Sequence, residues 1–121
     1  MKKKILVFGA LFLTVLVKAQ QDIKIDELSK HTGDSVKVCT KIFGGIYLDR
    51  SNGSPTLLDA GGKYPDAPLT ILIWGDTRKQ FKEAPDSFYK DKDVCITGRI
   101  KLYKDRPEIV IYDEKQIQVE K

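Results

Sequence analysis

The sequence is poor in the side chains that most often bind metals or act as acid–base groups. Its 121 residues include one His and two Cys, which argues against a metal site built from His and Cys ligands. It also lacks a charge excess in the part expected to fold. Four of its 21 basic residues flank an N-terminal apolar run, and the remaining 17 are matched by 17 acidic residues. The net charge therefore gives no support for a polyanion ligand, and the length allows one globular domain.

A hydrophobic run long enough to cross a bilayer is also missing. The longest run, residues 5–17, has thirteen residues, whereas a membrane-spanning helix needs about 20. Basic residues 2–4 precede it and Ala19 follows it, which is typical of a secretory signal peptide. We therefore predict a signal peptide over residues 1–19 and an exported domain over residues 20–121, in the oxidising periplasm or medium. A retained N-terminal anchor is the alternative.

Most of the remaining sequence alternates between apolar and polar residues, which predicts β-strands. Five such segments are bounded by turns, and they are residues 36–47, 56–59, 69–74, 94–102 and 108–112. Between the third and fourth segments, Thr77 and Gln80 fit a helix capping box and Pro85 marks its limit. A short helical turn before Gly33 and a C-terminal tail that packs back complete the prediction, which is an all-β domain with one short helix.

Glycines interrupt the first and fourth predicted strands. Gly44 and Gly45 lie in the first strand, and Gly98 lies near the middle of the fourth. A sheet of five strands has two unprotected edges, and closing it into a barrel removes them but needs sharp bends or bulges. The glycines therefore favour a closed five-stranded barrel. An open α+β sandwich, which has no particular need of them, is the alternative.

The order and spacing of these segments resemble those of one barrel family, the nucleic-acid-binding OB-fold domains of the tRNA-anticodon type, and especially its small exported bacterial versions. The parts that carry the resemblance are residues 28–39, 56–61, 64–65, 69–74 and 94–117. The resemblance implies a five-stranded OB-fold barrel with a helix between strands three and four. It also implies a ligand face on strands two and three, flanked by the loops at residues 48–55 and 104–107.

A single-stranded nucleic acid on such a face needs cationic groups along a groove and aromatic rings on which bases stack, each stack being worth about 1–3 kcal/mol. The two loops and the adjoining strand ends supply candidates for both. The predicted ligand-binding residues are Tyr47, Arg50, Tyr64, Trp74, Tyr103, Lys104 and Arg106. A protein or an oligosaccharide is the alternative partner, because OB-fold domains bind these as well.

The same candidates also have a structural interpretation. Trp74 is then covered by the helix, since large aromatic residues are usually mostly buried. Tyr47 and Tyr103 then line the rims of the barrel, and Arg50 and Arg106 are ordinary solvated charges. The balanced charge of the domain adds weight to this interpretation of the arginines.

The two cysteines occupy matching positions in the first and fourth predicted strands. Cys39 and Cys95 each follow a valine that faces inward, so both point outward. These two strands are neighbours in the OB fold that the resemblance implies, and side chains on one face of adjacent strands come close enough for a disulfide. We predict a Cys39–Cys95 disulfide, with two unpaired thiols as the alternative.

No catalytic residue, cofactor or metal is predicted. Asp49, Asp59 and Asp66 are candidates to gather around the loops, but their spacing is not that of a calcium-binding loop. The sequence has no Cys-x-x-Cys motif, and His31, at the end of the short helical turn, fits a structural role. The predicted function is therefore a non-enzymatic binding module for single-stranded nucleic acid or another extended polyanion. The alternative is a structural or interaction domain of the cell envelope that binds a protein or an oligosaccharide.

Overall fold

The strands of the computed structural model follow the alternating segments of the sequence. The structure describes residues 21–121, and the predicted signal peptide lies outside the described residues. The strands are β1 (Gln21–Ile23), β2 (Ser35–Tyr47), β3 (Thr56–Ala60), β4 (Leu69–Ile73), β5 (Asp93–Tyr103), β6 (Arg106–Val110) and β7 (Ile117–Val119). The prediction of an all-β domain is confirmed, with β1 and β7 as additional strands.

Five of these strands are hydrogen-bonded in a closed ring. β2 pairs with β3, β3 with β4, β4 with β6 and β6 with β5, and β5 returns to β2. All of these pairings are antiparallel except that of β4 with β6, which is parallel. Val38 of β2 lies directly opposite Ile96 of β5. The first and fourth predicted strands therefore meet, as a closed sheet requires.

Glycine is needed at two places in this ring. In β2, the register against β3 shifts between Ile42 and Gly44, which is the irregularity predicted there. Next to this shift, a Cβ atom on Gly45 would lie 2.7 Å from the carbonyl oxygen of Leu57 in β3. In β5, a Cβ atom on Gly98 would lie 2.6 Å from Cγ2 of Ile109 in the adjacent β6. A side chain at residue 98 would therefore push the two strands apart.

Branched aliphatic side chains fill the inside of the ring. The largest fully buried ones are Ile42, Leu58, Leu69, Ile71, Ile73, Ile96, Ile100, Ile109, Ile111, Val36, Val38 and Val94. Leu28, from a 3₁₀ helix at Ile25–His31, joins the same cluster. Phe81 and Tyr89 join it from the segment between β4 and β5, where their rings meet edge to face with centroids 6.4 Å apart. This single core holds the ring together through the hydrophobic effect.

The predicted disulfide is present. Cys39 in β2 lies directly opposite Cys95 in β5, and their sulfur atoms are bonded. The bond closes a loop across a sequence separation of 56 residues. In the chain-entropy account, a loop of this length stabilises the folded state by about 4 kcal/mol.

The two additional strands are short and lie at the margins of the ring. β1 pairs in parallel with β2, placing Gln21 opposite Val36. β7 pairs antiparallel with β5, placing Val119 opposite Val94. Each has three residues, too few to show an alternating pattern in the sequence. The C-terminal tail packs back onto the domain, as the sequence predicts, and it does so as strand β7.

The segment between β4 and β5 forms two single-turn helices rather than one helix. They are α1 (Gly75–Arg78) and α2 (Pro85–Phe88). The predicted capping box is wrong, because Trp74 occupies the N-cap position and Thr77 lies inside α1. Pro85 does not end a helix but begins α2, where the missing proline N–H has no helical partner to lose. Between residues 21 and 121, the structure has no helix that is long and apolar enough to span a membrane.

Candidate ligand-binding groove

The predicted ligand-binding residues lie at opposite ends of the β3–β4 strand pair. Each strand has five residues, so the two ends are about 13 Å apart. We call them the Thr56 end and the Ala60 end, after the residues that bound β3. At the Thr56 end are Tyr47, Arg50 and Trp74, and at the Ala60 end are Tyr64, Tyr103, Lys104 and Arg106.

At the Thr56 end, Tyr47 is held in a structural contact. The guanidinium carbon of Arg78 lies 3.6 Å from the centre of the Tyr47 ring. Nη1 of Arg78 donates to Oγ1 of the buried Thr56 at 2.6 Å and to Oδ1 of Asp86 at 2.9 Å. This one side chain therefore links β2, β3 and both short helices. A cation already covers one face of Tyr47, leaving less of the ring for a ligand.

Trp74 and Arg50 lie beside the same end. The Trp74 ring is 42% exposed, so the short helix does not cover it as one interpretation expected. The ring packs so closely on the turn before β3 that a Cβ atom on Gly53 would lie 2.7 Å from two of the ring carbons. Gly53 has a φ of +77°, which favours glycine, and its carbonyl accepts from the N–H of Gly75 at 2.8 Å. Arg50 is an exposed residue of this turn.

At the Ala60 end, the four remaining candidates line one groove of about 350 Å³. Tyr64 is 81% exposed and Tyr103 is 58% exposed, so their rings are accessible. Lys104 lies in the two-residue turn between β5 and β6, with its ammonium 5.4 Å from the centre of the Tyr103 ring. Lys104 and Asp105 both have positive φ angles, as a tight hairpin turn requires.

Arg106 shapes the wall of this groove. Its Nη2 donates to the carbonyl oxygen of Pro65 at 2.6 Å and to that of Ala67 at 3.1 Å. The guanidinium thus fixes the loop between β3 and β4 against the β5–β6 hairpin. This contact places Tyr64, the residue before Pro65, beside the groove. The structure gives Arg106 a positioning role that sequence reasoning did not anticipate.

The floor of the groove is a row of polar side chains across three strands. In the register of the sheet, Asp59 of β3 lies opposite Thr70 of β4, which lies opposite Glu108 of β6. The row continues to the exposed Lys101 of β5. Strands lie about 4.8 Å apart, so the backbones of the two acidic residues are separated by about 10 Å. Both acids line the groove.

Burial changes the acidity of both carboxyl groups. It raises the pKa of Asp59. It also raises the pKa of Glu108, an effect that the positive charge of Lys101 partly opposes. Only 7% of Glu108 is exposed. A partly desolvated carboxylate loses interactions with water, so its charged form is disfavoured.

Sequence reasoning named the walls of the groove but missed part of its floor. The sequence predicts Asp59 only as a candidate metal ligand and predicts no role for Thr70 or Glu108. At the Thr56 end, it predicts no role for Arg78. One signal for Glu108 was available. It sits at an outward position of β6, in the predicted strand segment 108–112, directly before the inward Ile109.

The acids of the groove do not come together in a group of three or more ligand residues within the described part of the chain. Among residues 21–121, the one group of at least three His, Cys, Asp or Glu residues with ligand atoms within 4.8 Å of one another is Cys39, Cys95 and Glu120. The two sulfur atoms are bonded to each other, so they do not offer thiolates to an ion.

Comparisons with known proteins give a likeness in structure alone. No protein-family model matches the sequence, and no curated protein matches it. A solved structure assigned as an aspartyl-tRNA synthetase from Leishmania major Friedlin has a TM-score of 0.53 and 13% identity, covering 92% of this chain and 23% of that one. The chain thus spans about a quarter of that protein. The OBody AM1L10, solved bound to hen egg-white lysozyme, has a TM-score of 0.58 and 15% identity, covering 86% of this chain and 97% of that one.

Proposed function

We propose that this chain is an exported, non-enzymatic OB-fold binding module whose groove at the Ala60 end takes an oligosaccharide. The closed ring of β2, β3, β4, β6 and β5 supports the OB-fold barrel, and so does the likeness in fold to the synthetase and the OBody. The disulfide supports export to an oxidising compartment. The observation that carries the ligand class is the pairing of exposed aromatic walls with an acidic floor.

An oligosaccharide matches both parts of this groove. The apolar faces of sugar rings pack on aromatic side chains such as Tyr64 and Tyr103, which combine an apolar ring with a polar tip. Sugar hydroxyls donate to acceptors, and Asp59 and Glu108 supply carboxyl oxygens along the floor. A groove with an apolar lining and a few convergent polar groups is typical of a specific ligand site.

A phosphodiester chain fits the floor less well. Its negative charges would approach the carboxyl groups of Asp59 and Glu108, and like charges repel. The guanidinium of Arg106 is engaged by two backbone carbonyls. Single-stranded nucleic acid remains the second candidate, favoured by the exposed Tyr64 and Tyr103 rings and by the neighbouring Lys104.

The test is to titrate the purified full chain with an oligosaccharide panel and with a single-stranded DNA oligomer at low and high salt. We expect saturable binding to sugars, with an affinity that changes little with salt when the sugar is uncharged. Binding to DNA through phosphate contacts would instead weaken steeply as salt rises. Bound sugar should be recovered intact, and cleaved product would contradict the non-enzymatic assignment.

Aromatic variants locate the bound ligand. Tyr64→Ala and Tyr103→Ala should each weaken sugar binding about tenfold, the loss typical of a central aromatic contact. Tyr112→Ala is the matched control, because Tyr112 is 68% exposed and does not line the groove. Equal losses in all three variants would place the ligand elsewhere. If the chain bound DNA but no sugar, and if the affinity for DNA fell as salt rose, the oligosaccharide proposal would be wrong and nucleic acid would be the ligand.

A further inference from the structure

Glu108 is a buried residue whose carboxyl group has no partner in the described part of the chain. It is 93% buried, since 7% of it is exposed, and it lines the groove. Within residues 21–121 its carboxylate makes no side-chain hydrogen bond and no ion pair. Buried polar groups almost always have partners, because an unpaired one is costly. An unpaired buried acid at a groove therefore points to a ligand.

The charged groups around Glu108 leave this acid without a neutralising contact. Lys101 of β5 is its cross-strand neighbour, but the ammonium is not within 4.0 Å of the carboxylate. Arg106 of β6 is engaged by two carbonyls of the β3–β4 loop. Lys104 lies near the ring of Tyr103 in the turn. On the other side of the floor, Asp59 of β3 adds a second acid.

We propose that the groove selects amino sugars, with a free ammonium group of the ligand placed on the floor between Glu108 and Asp59. This inference rests on the proposed oligosaccharide function and names the feature of the sugar that is recognised. An ammonium group donates three hydrogen bonds, and the row of Asp59, Thr70 and Glu108 offers carboxyl and hydroxyl oxygens to receive them. Hydrogen bonds between charged partners are about twice as strong as neutral ones.

The aromatic walls add to the same selectivity. Tyr64 and Tyr103 line the groove with exposed rings, and the electron-rich face of an aromatic ring attracts a nearby cation. An N-acetylated sugar has the same ring but carries an amide in place of the ammonium. It keeps the stacking contact and loses the charge. Comparing the two forms of one sugar therefore separates the contribution of the floor to binding from that of the aromatic walls.

The experiment compares a hexamer of glucosamine with a hexamer of N-acetylglucosamine on the full chain by calorimetry. The wild type should bind the free-amine hexamer about tenfold more tightly, the value of one charged hydrogen bond. Glu108→Gln should bring the two affinities together by weakening the free-amine hexamer alone. Asp59→Asn should act in the same direction.

Glu83→Gln is the matched control, because it removes one negative charge at an exposed position that does not line the groove. It should leave the preference intact. Thermal unfolding checks the variants, and we expect Glu108→Gln to fold, since burial already disfavours the charged acid. If that variant fails to fold, Asp59→Asn carries the test.

The outcomes distinguish this inference from the function on which it rests. Equal affinity of the wild type for both hexamers overturns the amino-sugar inference and leaves the oligosaccharide function standing. Failure to bind any sugar overturns both. The remaining outcome is that a lysine-rich peptide binds more tightly than the glucosamine hexamer, in a way that depends on Glu108. That result would show that the groove recognises the ammonium groups of a protein, and it would overturn the amino-sugar inference.

Discussion

The two ends of the β3–β4 pair use similar residues for different purposes. Each end has aromatic side chains and an arginine. At the Thr56 end, Arg78 covers the ring of Tyr47 and bonds to side chains of β3 and α2. At the Ala60 end, Arg106 bonds to the backbone of a loop and leaves Tyr64 exposed. The partner of the arginine therefore decides whether the neighbouring ring supports the fold or faces solvent as part of a groove.

The largest effect should come from removing the arginine at the Thr56 end. Arg78→Ala deletes hydrogen bonds to Thr56 and Asp86 and leaves the buried Thr56 hydroxyl without its donor. We expect the free energy of unfolding to fall by about 2 kcal/mol, the range for hydrogen bonds that involve a charged group. Urea denaturation followed by circular dichroism measures it.

Arg78→Lys is the control, because it keeps the charge but loses the planar guanidinium that both stacks and donates in two directions. It should recover only part of the loss. An unchanged midpoint for Arg78→Ala would show that the contacts at the Thr56 end do not support the fold, and the contrast between the ends would disappear.

A smaller effect is expected from the arginine at the Ala60 end. Arg106→Ala removes two hydrogen bonds to the carbonyls of Pro65 and Ala67 at the protein surface, so the expected loss of stability is about 1 kcal/mol. The loop at residues 61–68 should become more mobile. Hydrogen exchange of its amides should accelerate while exchange in β3 and β4 stays slow.

The matching measurement at the other end sharpens this result. Arg78→Ala should accelerate exchange at the start of β3 and in α1 rather than in the loop. If Arg106→Ala accelerates exchange throughout the sheet, the loop contact is part of the core stability and is not a local tether.

The smallest effect should come from replacing the exposed Tyr64 with alanine, with Tyr47→Ala as the comparison. Tyr64→Ala should change the free energy of unfolding by less than about 0.5 kcal/mol, because its ring is 81% exposed. Tyr47→Ala should cost about 1 kcal/mol through loss of the contact with Arg78. Chemical denaturation of the pair under identical conditions tests the difference. A cost for Tyr64→Ala equal to that for Tyr47→Ala would remove the distinction between a structural and an accessible ring.

Local patterns predicted the strands, and together with the resemblance to the OB-fold family they predicted the closed pairing of the ring and its covalent link. The alternation in β2 and β5 placed Cys39 and Cys95 on one face, and they are opposite each other in the structure. The register irregularity beside Gly44 in β2 was likewise predicted. Alternation and glycine positions are set by neighbouring residues in a strand, which is why a single sequence contains them, whereas the pairing of β2 with β5 followed from the family resemblance.

Other features depend on residues that are distant in the chain. Arg78 contacts Thr56 across 22 positions, and Arg106 contacts Pro65 across 41. The floor of the groove exists because β4 pairs in parallel with β6, which brings Thr70 beside Glu108. No local spacing encodes such a register. The sequence therefore predicted the aromatic candidates but not which of them would share a surface.

The bond between Cys39 and Cys95 also affects what happens when the backbone is cut. Both the turn at residues 49–55 and the loop at residues 61–68 lie between the two cysteines in the chain. A peptidase that hydrolyses either segment produces a two-chain molecule whose pieces stay covalently joined. Such a nick changes the apparent size of the molecule only after a reducing agent has separated the two pieces.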